Sequence, residues 1–161
     1  MRVYVAALAG SMALAAWSPA SATCAREPEV TAFNMRALQS RLMVTALTCD
    51  MYDQYNSFVL RNRAALDGSR RTLVSYFGRA GGGERAFSNY DTELANVQST
   101  DSTRRGSLFC SDMRPVFAEV LGLPNTAELQ KYAVAKSLPQ PRVVEACPAA
   151  SSRPAAAAPR R

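Results

Sequence analysis

The chain has 161 residues, a formal net charge of +6 and a hydrophobic share of 48%, with four cysteines and no histidine. The missing histidine excludes serine–histidine and cysteine–histidine nucleophile systems, histidine-ligated haem and mixed Cys/His zinc sites. The length fits one domain, large enough to bury a core without depending on disulfides.

The chain opens MRVYVAALAGSMALAAWSPASATC. Arg2 supplies a positive start, Val3 to Trp17 form an uncharged apolar run, Pro19 breaks it, and Ala20-Ser21-Ala22 is a small-x-small cleavage site. This is the pattern of a secretory signal peptide over residues 1–22. The run falls short of the roughly 20 residues a spanning helix needs, and no later stretch is long and apolar enough to span. Thr23 is too large, just before Cys24, for a lipoprotein signal. The chain is therefore expected to be exported, periplasmic or secreted, from a bacterium, and soluble after cleavage.

Export makes disulfides the expected state of Cys24, Cys49, Cys110 and Cys147. Their spacings of 25, 61 and 37 residues contain no CxxC pair, which argues against an all-cysteine zinc site and against redox catalysis. Of the three connectivities, the nested one is favoured: Cys49 with Cys110 from two core-facing helices, and Cys24 with Cys147 from the flanking segments. A loop of about 60 residues closed by Cys49–Cys110 corresponds to roughly 4 kcal/mol in the chain-entropy picture.

From Val30 to Asp67 there is no glycine or proline. Met35, Leu38, Leu42, Cys49, Tyr52, Val59 and Leu66 recur at near-heptad spacing, with Leu47, Met51, Tyr55 and Phe58 beside them. The pattern predicts one long helix, or two collinear ones, over 30–66, about 55 Å long if continuous. Asp67-Gly68-Ser69 reads as a stop and restart, with Ser69 capping a helix that carries Leu73, Tyr76 and Phe77. Gly81-Gly82-Gly83 then breaks the chain. Phe87, Tyr90, Leu94 and Val97 form the clearest amphipathic stripe, and Ser99 to Ser102 read as a polar separator. Phe109, Met113, Val116, Phe117 and Val120 share a face, with Pro115 implying a start near Ser111 or a kink. Asn125 and Glu128 make a capping-box-like start to a short last helix carrying Leu129 and Tyr132. No run alternates as a strand does.

The predicted fold is therefore all-α: a small disulfide-braced bundle of five to six helices over residues 23–138. Residues 139–161, rich in proline and alanine, read as an extended, disordered tail tied at Cys147.

Seventeen of the 19 basic residues are arginine, which with abundant alanine fits a GC-rich coding bias. Arg70, Arg71, Arg104 and Arg105 are placed by this reading in first helical turns, and Arg85 follows the triple glycine. Positive charge there opposes the helix dipole, which marks these five as candidate anion-binding residues beside the simpler reading of a solvated face. Tyr52, Tyr55, Phe58, Phe87 and Tyr90 are candidates for an apolar pocket, although aromatic stripes at helical spacing are more often core. Asp50 with Asp53, and Asp91 with Glu93, offer carboxylate pairs of the kind used in glycan cleavage. The stretch RAGGGERAF at 79–87 lacks the GK[ST] ending of a phosphate loop and reads as a linker.

No motif is specific enough to transfer an activity. The expected function is a non-enzymatic exported module that binds a protein or an anionic envelope component. A carrier of a small apolar ligand and a carboxylate-based cell-wall glycan hydrolase are the alternatives. No catalytic or metal-binding residue, cofactor or nucleic-acid partner is expected.

Overall fold

The computed structural model describes residues 24–142 and 144–148. The signal-peptide reading of residues 1–22 and the tail from Ala149 onward lie outside the described residues. Five helices follow in order: α1 (Glu27–Cys49), α2 (Tyr52–Arg79), α3 (Gly83–Arg105), α4 (Leu108–Gly122) and α5 (Thr126–Lys136). Among the described residues there is no strand, only an isolated parallel bridge between Ala25 and Ala146. None of the described helices is long and apolar enough to cross a membrane.

α1 is the central element and packs against all four other helices. Met35, Leu38, Leu42 and Ala46 face a core shared with Phe58 and Leu66 of α2, Phe117 and Val120 of α4, and Leu129 and Ala133 of α5. Phe33 and Ala37 face a second core with Leu73, Phe77, Phe87, Tyr90 and Leu94. There the Phe33 ring meets Tyr76, Tyr90 and Phe77 edge-on, at centroid distances of 5.0, 5.2 and 5.9 Å. A helix with cores on two sides loses its single polar face. Even Arg41 of α1 is only 3% exposed. Its Nη1 lies 2.7 Å from Asp101 and its guanidinium stands over the Phe109 ring at 5.8 Å. Burial raises the Asp101 pKa, but Arg41 and Arg105 outweigh it and hold the carboxyl below its usual range.

Neither the one long helix nor the two collinear helices expected over 30–66 are formed. The chain turns back at Asp50, which adopts the left-handed conformation (φ 54°, ψ 40°) while its N–H bonds to Ala46 O. Asp tolerates this conformation better than most residues. The reversal lets α1 and α2 bury their apolar stripes against each other, which a straight rod cannot do. The expected stop at Gly68-Ser69 is also absent, because α2 continues through it. Leu66, Ser69, Leu73 and Phe77 form one buried stripe, and Ser69 Oγ donates to Ala65 O at 3.0 Å instead of capping a new helix. A glycine inside a helix costs about 1 kcal/mol, less than burying two large side chains of that stripe gains.

The break at Gly81-Gly82-Gly83 does form. Gly81 has φ 82°, and a Cβ on Gly82 would lie 2.5 Å from that of Ala86, so larger residues do not fit this turn. α3 then absorbs the supposed separator at 99–102 and buries Gln98 and Ser102. α4 starts at Leu108 rather than Ser111 and carries Pro115 in its interior. α5 begins as expected, with Asn125 Oδ1 accepting from Glu128 N at 3.0 Å.

Both disulfides have the nested connectivity, Cys24–Cys147 and Cys49–Cys110, and no cysteine is free among the described residues. The thiols expected to be oxidised are thus committed, which fits a non-reducing environment. The described residues from Pro139 to Pro148 lie outside any helix and are fixed at more points than Cys147 alone. Gln98 Nε2 donates to Pro139 O at 2.6 Å, and Tyr90 Oη donates to Gln140 at 2.8 Å. Ala25 N bonds to Glu145 O, and Cys147 N to Ala25 O, both at 2.8 Å.

Candidate anion-binding groove

The entry to α1 gathers charge. Pro28 sits in its first turn, where a missing N–H costs nothing and the fixed φ suits the helix. Glu29 folds back on Arg26, accepting from its backbone N–H at 2.8 Å and from its guanidinium at 2.9 and 3.2 Å. α2 runs antiparallel to α1, which brings Arg79, near its end, beside the start of α1. Arg79 then grips both oxygens of Glu29, at 2.5 and 2.9 Å. The hydrogen bonds from Arg79, reinforced by those of Arg26, hold the Glu29 carboxyl down at about 2, against a desolvation effect that raises it. Two arginines around one carboxylate leave the cluster with one net positive charge.

Arg71 stands two turns before Arg79 on α2. With Arg26, Pro28, Glu29, Thr72 and Ser75 it lines a groove of about 450 Å³. Pro28 and Thr72 also line a neighbouring hollow of about 410 Å³. The second hollow is lined by the small residues Ala32, Ala65, Gly68 and Ser69, with Glu27 and Gln130. The Arg71 guanidinium lies 4.0 Å from where a Gly68 Cβ would stand, beside the second hollow that Gly68 lines. Arg71 is exposed and has no hydrogen-bond or ion-pair partner among the described residues.

The other four candidate arginines are elsewhere. Arg70, adjacent to Arg71, pairs with Glu84 and stacks over Phe87 at 5.4 Å. It lies, like Arg71, inside α2 rather than in a first turn. Arg104 and Arg105 end α3 rather than beginning a helix, so their charges agree with the helix dipole. Arg105 pairs with Asp101 and Asp112, at 3.1 and 3.7 Å. Only Arg85 occupies a first turn; it and Arg104 are exposed without partners among the described residues. Some 20 helical residues, about 30 Å, separate Arg85 from Arg105. The five therefore do not converge, and of them only Arg71 lines the groove. Arg26, Glu29 and Arg79 complete it. The Arg26–Glu29 spacing of three was legible in the sequence, whereas Arg79 arrives only through the antiparallel pairing.

The five aromatics do not share a cavity either. Phe58 is buried in the first core, Phe87 and Tyr90 in the second. Tyr52 is half exposed at the start of α2. Burial, with the nearby Asp91 carboxylate, pushes the Tyr90 hydroxyl well above its ordinary range. Among the carboxylates, Asp50 lies outside the helix that holds Asp53, so the two do not form an i, i+3 pair on one helix. Asp91 is clasped by Arg36 at 2.5 and 2.6 Å, and Glu93 meets Arg142 at 3.5 Å. No protein-family model matches the chain, and neither a curated protein nor a solved structure is significantly similar to it.

Proposed function

We propose that this protein is an exported, periplasmic or secreted, non-enzymatic module that binds an anionic group of a protein or envelope component in the groove between α1 and α2. The observation that carries this reading is Arg71, an uncommitted guanidinium over a concave surface, beside a cluster of one positive charge. A guanidinium recognises carboxylate or phosphate through paired N–H donors. The hollow is open to solvent, which suits a group laid on the surface better than an enclosed substrate. The carrier reading has less support, since Phe58, Phe87 and Tyr90 are spent in two separate cores. The hydrolase reading has less support too, since Asp91 and Glu93 are held by arginines and Asp50 lies in the turn outside the helix that carries Asp53.

The test is sedimentation of the mature, oxidised chain with anionic phosphatidylglycerol vesicles and with isolated cell wall, at low and high salt. Arg71→Glu is expected to weaken binding at least fivefold, and Arg114→Glu, exposed on α4 away from the groove, to leave it nearly unchanged. Binding is expected to fall as salt shortens the Debye length from about 30 Å at 0.01 M to about 3 Å at 1 M. Equal loss in both variants would assign the binding to overall charge and sink the groove.

A further inference from the structure

The segment after α5 builds a second concave site, which shares no lining residue with the groove. Val30 and Asn34, four apart on one face of α1, form one wall. Leu138, Gln140, Pro141, Arg142 and Val144 form the other, around a hollow of about 560 Å³. The second wall is anchored on both sides. Gln98 Nε2 holds Pro139 O at 2.6 Å. Ala25 N holds Glu145 O at 2.8 Å, and Cys147 is bonded to Cys24. Leu138 and Val144 also pack against the second core. A hollow of this size, with apolar sides and a few polar groups, has the makeup of a ligand site.

The polar groups of this hollow are each only partly used. Asn34 Nδ2 donates to Val30 O at 2.8 Å, which leaves Oδ1 without a partner among the described residues. Gln140 Oε1 accepts from Tyr90 Oη at 2.8 Å, which leaves Nε2 uncommitted. Neither unpartnered atom is sealed from solvent. Arg142 is exposed and meets Glu93 through Nη2 alone, at a long 3.5 Å. The rest of its N–H donors are available. One amide acceptor and one amide donor complement the N–H and C=O of a peptide group. A guanidinium complements a carboxylate, and the apolar sides complement an aliphatic side chain. The last residue of a peptide carries all three features together.

We propose that this hollow binds the C-terminal residue of a peptide chain that ends in an aliphatic side chain. The carboxylate lies on Arg142 and the last peptide group between Asn34 and Gln140. The side chain packs against Val30, Leu138, Pro141 and Val144.

The experiment is amide-resolved NMR of the mature oxidised protein titrated with N-acetyl-alanyl-valine, with the C-terminal amide of the same dipeptide, and with N-acetyl-alanyl-aspartate. Saturable shifts are expected at residues 30–34, 138, 140, 142 and 144 with the valine acid, and at least fivefold weaker binding with the other two probes. Arg142→Gln is expected to bring the acid and amide forms of the valine probe within twofold of each other. Asn34→Leu is expected to weaken both forms at least threefold while the acid keeps its advantage. Both variants are checked for an unchanged helical circular dichroism spectrum. Arg71→Glu is expected to leave valine-acid binding intact, so this site stands or falls separately from the groove. The proposal is overturned by the absence of saturable shifts at these residues, by equal binding of the acid and amide forms to the unaltered chain, or by a preference for the acid that survives Arg142→Gln.

Discussion

The Glu29 cluster permits a quantitative prediction. Glu29 is 4% exposed and its pKa is lowered from 4.5 to about 2, first by the Arg79 hydrogen bonds and then by Arg26. A carboxyl depressed in the folded state contributes stability that is fully present above its unfolded value near 4.5. That contribution is lost as pH falls through the folded value near 2. At about 1.4 kcal/mol per tenfold change in proton affinity, the ceiling is about 3 kcal/mol. Arg79 keeps a third of its side chain in solvent, and screening there brings the expectation to about 1.5–2.5 kcal/mol. Glu29→Gln retains the shape and removes the charge. Urea unfolding of both chains, disulfides intact, is expected to give that difference at pH 7. The gap is expected to narrow steadily between pH 4.5 and pH 2. A gap below about 0.5 kcal/mol at pH 7, or one that stays constant down to pH 2, would refute the charge-based account.

The Cys24–Cys147 bridge closes a span of 123 residues, for which the chain-entropy relation gives about 5 kcal/mol. The double substitution Cys24→Ser/Cys147→Ser is expected to lower urea stability by about 2–5 kcal/mol while keeping the helical circular dichroism signal, since backbone bonds still hold Ala25 to the 145–147 segment. A loss below 1 kcal/mol would contradict this. At the α1–α2 reversal, Asp50→Gly is expected to be neutral or stabilising by up to about 1 kcal/mol, because glycine adopts positive φ freely. Asp50→Val is expected to destabilise by about 1–2 kcal/mol, and equal thermal midpoints for the two variants would show that the left-handed turn is not formed.

Much of this fold was legible at the level of helical faces. The stripe Phe87, Tyr90 and Leu94 is buried as its spacing implies, and so are Phe109, Met113, Phe117 and Val120. Helix ends were less legible wherever a local signal competed with burial. Gly68-Ser69 has the chemistry of a stop, yet it lies within a stripe that α1 covers. Asp50 has weaker turn chemistry than a glycine, yet the chain reverses there because two apolar helices must meet. The groove was half visible: Arg71 stood out as a basic residue, but its relation to Arg26, Glu29 and Arg79 depends on which helix ends lie side by side.

By itself, the sequence determined the class: an all-α chain without histidine chemistry, with four cysteines expected to be oxidised and the nested pairing only favoured among three. Composition and short-range periodicity suffice for the class, because helix faces follow from local spacing, whereas the pairing 24–147 and 49–110 is fixed by which segments the packing brings together. Only the tertiary structure decided that α1 is enclosed on two sides, that α2 runs unbroken through Gly68, and that Arg79 closes on Glu29. Those outcomes depend on contacts between residues about 50 positions apart, such as Glu29 with Arg79 and Arg36 with Asp91. Their energy is realised only once the helices have packed, so no window of local sequence contains it.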